Sequence, residues 1–174
     1  MSAGRNEAPA RAGPFAGGRR AARLCAVQAL FQVEFVESSA DAVVAEFESH
    51  RLAGELGGEP LAPDDRGWFA GVVRGTIADS ALIDERLVGR LAPGWTLPQL
   101  DGVVRAVLRA GTYELLRRPE VPARVVISEY VGVAQGFCGA RELGFVNATL
   151  DSLAREMRPD EFAVASGDGR ANAR

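Results

Sequence analysis

Arg19, Arg20 and Arg23 form the one cluster in this sequence whose residue type and spacing suggest chemistry. At i, i+1 and i+4 they share one side of a helix start. A guanidinium is a planar fork that grips phosphate oxygens in pairs and stacks on bases. The free amides of a helix N-terminus add further donors for phosphate. Positive charge there opposes the helix macrodipole by about 0.3–1 kcal/mol per residue. That penalty is small if the side chains are exposed and screened, and it is offset if an anion sits among them. Residues 1–23 hold five arginines (Arg5, Arg11, Arg19, Arg20, Arg23) and one acid, Glu7, a balance of +4. The whole chain carries −3, which leaves −7 on the remainder. A basic end on an acidic body implies a localised anion site, not general stickiness.

Other chemistry is sparse. The sequence has no GxxxxGK[ST] and no GxSxG. Its glycine pairs, Gly17-Gly18 and Gly57-Gly58, read as loops, since neither follows a strand and opens a helix. His50 is the single histidine, and this only candidate base lies at a helix end, a poor place for nucleophile activation. Cys25 and Cys138 each sit in an apolar helical pattern and read as small buried hydrophobes. One histidine and two distant cysteines do not make a zinc site. The acid pairs Asp64-Asp65 and Asp84-Glu85 read as solvated helix faces or as charges that suit a helix start. The expectation is a protein with no catalytic residues, no metal and no cofactor.

The elements that must position the arginines are helical. The chain has 174 residues, 47% of them hydrophobic, which suits one domain or two small subdomains with a real core. It shows neither an apolar run of about 18 residues nor a signal-peptide pattern, so the cytoplasm is the default location. Residues 1–18, rich in Gly, Ala and Pro, read as a flexible arm. From Arg19, Leu24, Val27, Phe31 and Phe35 recur at helical spacing. Ser38 or Ser39 offers an N-cap for a second segment, and 54–65 reads as a loop. A third helical region runs from about Asp64 to Leu91, followed by a turn at 92–98. Pro98 suits the first turn of the next helix, which carries Val104, Val107, Leu108, Gly111 and Leu115 on one face. After the break RRPEVPA, Ile127, Val131, Ala134 and Cys138 align. A last helix runs from Phe145 to Met157. The periodicity places Tyr113, Glu114 and Leu115 in the core and at helix pairs, and leaves Glu129 to cap or pair internally or to lie on a protein-partner face. This predicts an all-α fold of six or seven helices in two packed groups. The subdomains would span about 19–91 and 98–158, with a disordered tail at 159–174.

At RRAARLCAVQALF the sequence closely resembles the opening helix of the NusB family. The similarity continues in order through FAGVVRGTIADSALIDERL, VVRAVLRAGTYELLRRPEVP, ISEYVGVAQGF and GFVNATLDSLARE. It covers roughly residues 19–158. Four stretches in the correct order make chance a poor explanation. The resemblance implies two packed three-helix groups and a job in transcription antitermination. Members pair with ribosomal protein NusE, bind the single-stranded boxA element of nascent RNA, and join the RNA polymerase elongation complex on ribosomal RNA operons. It further implies that Arg19, Arg20 and Arg23 contact RNA, with Gln28 as a weaker candidate. The region before the Phe-Val-Asn helix adds a second RNA edge, to which Phe145, Asn147 and Arg141 are carried over. There the family's acidic Glu-Asp-Ser approach is replaced by Ala140-Arg141-Glu142, which puts positive charge where the family often has negative.

Two other readings remain open. NusB-like domains also form the N-terminal part of a ribosomal RNA cytosine methyltransferase. That reading needs a further doubly wound domain and holds only if this chain is a fragment. The other is a helical scaffold or homodimer whose arginines serve solubility.

Overall fold

The computed structural model describes residues 18–36, 38–52 and 60–163. The expected arm (apart from Gly18), the first half of the expected loop at 54–65 and the tail beyond 163 lie outside the described residues. Helix α1 spans Gly18–Phe35 and α2 spans Ala40–Glu46, running on into one π-type turn at Phe47–Arg51. Then come α3 (Pro63–Ala78), α4 (Ser80–Val88), α5 (Gly102–Arg117), α6 (Ala123–Ala134), α7 (Ala140–Met157) and the single turn α8 (Asp160–Ala163). No strand occurs among the described residues, so the fold is all-helical.

Local chemistry explains the boundaries. Ser39 caps α2, its Oγ accepting from the Ala42 amide at 3.1 Å. Pro63 stands in the first turn of α3 with Asp64 and Asp65, where fixed φ and negative charge both suit a helix start. The single helix expected from Asp64 to Leu91 is two, because the chain breaks at Asp79, whose amide closes α3 while its carbonyl accepts from Ile83. Pro98 does not open α5. It lies in a short 3-10 turn, Leu97–Gln99, and Leu100 is extended. Asp101 caps α5 instead, its carboxylate accepting from the Val103 and Val104 amides at 2.9 and 3.4 Å. Helix α6 stops at Ala134, before Cys138, and α7 begins at Ala140, ahead of the expected Phe145. Part of the expected tail is helical, since α8 brings the half-buried Phe162 against the core.

Helix α5 is the centre of the molecule. It packs on α1, α3, α4, α6 and α7, and nearly every residue from Ala106 to Leu115 is buried. A helix buried all round must be apolar all round, which makes Glu114 the anomaly to explain. Helix α1 packs on α2, α3, α5 and α6. Both α1 and α5 therefore touch helices of each expected group. Arg158 gathers carbonyls at and just beyond the C-terminal end of α5, where helical partners run out. It donates to Glu114 O at 3.0 Å, Leu115 O at 2.9 Å and Arg118 O at 2.9 Å.

Candidate nucleic-acid interface

The three arginines of α1 have three different environments. Arg23 is only 3% exposed. Its Nε and NH2 donate to the Glu114 carboxylate at 2.9 Å each. Glu114 is fully buried and also accepts from Trp68 Nε1 at 3.0 Å and from Tyr130 Oη at 2.8 Å. Four helices thus meet at one carboxylate: α1, α3, α5 and α6. Burial alone would depress the Arg23 pKa, but the hydrogen bonds and charge of Glu114 overcome it and leave the guanidinium firmly charged. Burial first, then the charge of Glu114, pushes the Tyr130 phenol well above its ordinary range. Arg23, expected on the RNA face, is committed to the core, because an inward-facing Glu114 needs a charge partner.

Arg19 lies over the Trp68 ring, 4.3 Å from its centroid, with Arg118 over the same indole at 4.5 Å. It also donates to Asp64 O at 2.9 Å and pairs with Asp65 at 3.2 Å. Its side chain is 44% exposed, so it ties α1 to the start of α3 while keeping one side in water. Arg20 reaches the other way, across α6. Its Nε and NH2 donate to Glu129 at 3.1 and 2.8 Å. That hydrogen bond raises the Arg20 pKa and holds the Glu129 carboxyl below its ordinary range, against the opposing effect of burial.

Arg20 also lines an open polar groove between α6 and α7, with Arg124, Ser128, Gln135, Asn147 and Asp151. Two residues expected at an RNA surface, Arg20 and Asn147, are therefore brought together. Arg141 and Phe145 are not with them. They line a separate, mainly apolar groove with Trp95, Leu100 and Val104 on another face of α7. Gln28 belongs to a third surface, an apolar trough with Phe31, Phe35, Val36, Val103 and Phe137. In it the rings of Phe31 and Phe35 stand 4.7 Å apart, and Phe35 is 66% exposed. Sequence reasoning missed Arg124, Ser128 and Gln135. All three face outward on or just past α6, and the helical period of that segment was a usable signal. It also missed Trp95, placed in a turn by its neighbours and exposed there. Cys25 and Cys138 are only partly buried.

A model of the NusB family matches residues 20–155. The chain belongs to the NusB family. A transcription antitermination protein NusB of Nitrobacter hamburgensis is 50% identical over 145 residues, covering 83% of this chain and 91% of that one. One of Caulobacter vibrioides is 48% identical over 140 residues, covering 80% and 94%. Among solved structures, T. maritima NusB superposes with a TM-score of 0.71 at 27% identity, covering 84% of this chain and 98% of that one. A complex of the antitermination factors NusB and NusE with double-stranded RNA gives 0.66 at 19% identity, covering 79% and 96%, and shows likeness of fold. The NusB-family match opens at Arg20, so it contains the Arg20–Glu129 pair, the Glu114 network and both grooves of α7, with Arg19 one residue outside it.

Proposed function

We propose that this chain is an RNA-binding transcription antitermination factor that works by equilibrium assembly and not by turnover. The observation that carries this reading is the α6/α7 groove, where Arg20 and Asn147 share one open surface with Arg124, Ser128 and Gln135. Guanidinium forks with interleaved amides and hydroxyls suit a phosphate backbone and its bases. The proposed ligand is boxA-type single-stranded RNA, bound together with ribosomal protein NusE as part of the RNA polymerase elongation complex. Arg19 extends the surface at the start of α1, and Arg141 and Phe145 with Trp95 offer a stacking edge on the far face of α7. Arg23 acts indirectly by fixing the helix that presents Arg20. The trough of Phe31, Phe35, Val36 and Phe137 is the surface we assign to the protein partner, since exposed apolar patches of this kind mark interaction sites. The working module of this reading is the 19–158 unit, its two helix groups held together through α1 and α5.

The test is a titration of boxA RNA against the full chain across salt, with and without NusE. The variant is Arg20→Ala with Arg124→Ala, which spares the buried network. Weaker binding and a salt slope flatter by about 0.7 for each lost phosphate contact are expected. Equal affinity with unchanged helicity would sink the reading.

A further inference from the structure

Glu129 stands where its charge opposes the proposed function. Its carboxylate accepts both an Nε and an NH2 donor from Arg20 and lies 3.6 Å from Arg23 NH1. This is the fork geometry a guanidinium would otherwise offer to two phosphate oxygens. Arg20 lies against α6 over Gly132, where a Cβ would make only ordinary contact with its NH2 at 3.5 Å. The Arg20 side chain is 43% exposed and that of Glu129 20%, so the cation faces the groove and the acid lies behind it. Arg23 does not depend on Glu129, because Glu114 already takes its Nε and NH2.

We infer that Glu129 is a built-in competitor for Arg20, a carboxylate that a phosphodiester must displace when RNA enters the α6/α7 groove. This rests on the RNA-binding reading above. The pair holds Arg20 extended along α6 and neutralises it in the free protein. A partly exposed ion pair is weak enough for a phosphate to replace. A polyanion that engages several groove residues at once displaces Glu129, whereas an isolated anion making a single contact gains little by doing so. Glu129 thus lowers affinity for stray anions and reserves Arg20 for a continuous backbone, a form of specificity built on repulsion.

The experiment titrates the full chain with single-stranded boxA RNA across salt for the wild type, Glu129→Gln, Arg20→Ala and the double variant. Glu129→Gln is expected to bind roughly two- to five-fold tighter, the factor that matches loss of one exposed ion pair. Its salt slope should steepen by about 0.7, one more phosphate contact releasing counterions. In the Arg20→Ala background the same change should do little. Weaker or unchanged binding by Glu129→Gln overturns the inference. So does an equal gain without Arg20, which would mean a general charge effect. If Glu129→Gln lowers the melting temperature, Glu129→Asp, which withdraws the carboxylate by one methylene, must show a smaller gain of the same sign. Loss of binding in Arg20→Ala with Arg124→Ala but no gain in Glu129→Gln defeats only the competitor role. No loss in the former defeats the RNA reading itself.

Discussion

Arg20 and Arg23 stand less than one turn apart on α1, yet one is a surface cation and the other a core ion. The difference is set from outside the helix, by Glu114 on α5, whose carboxylate takes donors from Arg23, Trp68 and Tyr130. Removing one partner of a buried pair strands the other charge, so Arg23→Ala is expected to cost about 3–5 kcal/mol of stability. Chemical denaturation checks this, and an undiminished midpoint would show that Glu114 finds another cation. RNA affinity measured where the variant is still folded should fall far less than in Arg20→Ala. Glu129 adds a pH signature. Its folded carboxyl titrates below the ordinary value of 4.5, chiefly through the Arg20 hydrogen bond. The stabilisation is therefore complete above the unfolded value and is lost as pH falls through the lower folded one. Thermal melts of Glu129→Gln and the wild type should differ near neutrality and converge in acid below that range; a constant gap would refute the pairing. Sequence periodicity placed Glu114 in the core but could not name its cation, because the partner lies 91 residues away. For the same reason it put Arg23 with its neighbours on the surface.

Helices α3 and α5 pack where Gly75 meets the ring of Tyr113. A Cβ at Gly75 would overlap that ring outright. Tyr113 is buried at 8% exposure and has little room to yield. Gly75→Ala should destabilise by about 1–3 kcal/mol through overpacking, although alanine is the better helix former. A lower urea midpoint at unchanged slope would confirm a packing cost; a stabilised protein would show that Tyr113 swings clear. Helix existence was legible in the sequence, since α1, α5, α6 and α7 carry apolar periodicity and Ser39 is a readable cap. Boundaries were less so. The break at Asp79 has no glycine or proline beside it to mark it, only backbone hydrogen bonds that change partners there. Pro98 is a sound helix-start residue used in a 3-10 turn, because Asp101 caps α5 four residues after Leu97. The start of α7 at Ala140 was hidden by the polar run Ala140-Arg141-Glu142, which has no apolar period until Leu143.

Helix α1 also organises the whole molecule, because its two ends present different surfaces. Arg20 and Phe35 are fifteen residues apart, about 22 Å along a helix rising 1.5 Å per residue. One end faces a polar groove with Asn147 and Arg124, and the other an apolar trough with Phe137. On the proposed assignment, a rigid rod of that length, braced by α5, would let an RNA and a protein bind the same molecule without competing for side chains. The acidic bulk of the chain, −7 beyond residue 23, would favour approach of a basic partner to the body and, in the proposed assembly, leave RNA to the arginine end. The two surfaces should therefore be separable by mutation. Phe35→Glu with Phe137→Glu removes two exposed rings, 66% and 48% accessible, that support none of the buried core. This variant should lose NusE binding by at least about ten-fold, as expected when aromatic anchors are removed. Its boxA titration as an isolated protein, and its melting temperature, should match the wild type. Coupled loss of both activities would place RNA across the trough as well, with Gln28 as its contact. If the wild type elutes as a dimer that these substitutions dissociate, the trough belongs to a second copy of the chain, and NusE must dock elsewhere or displace it.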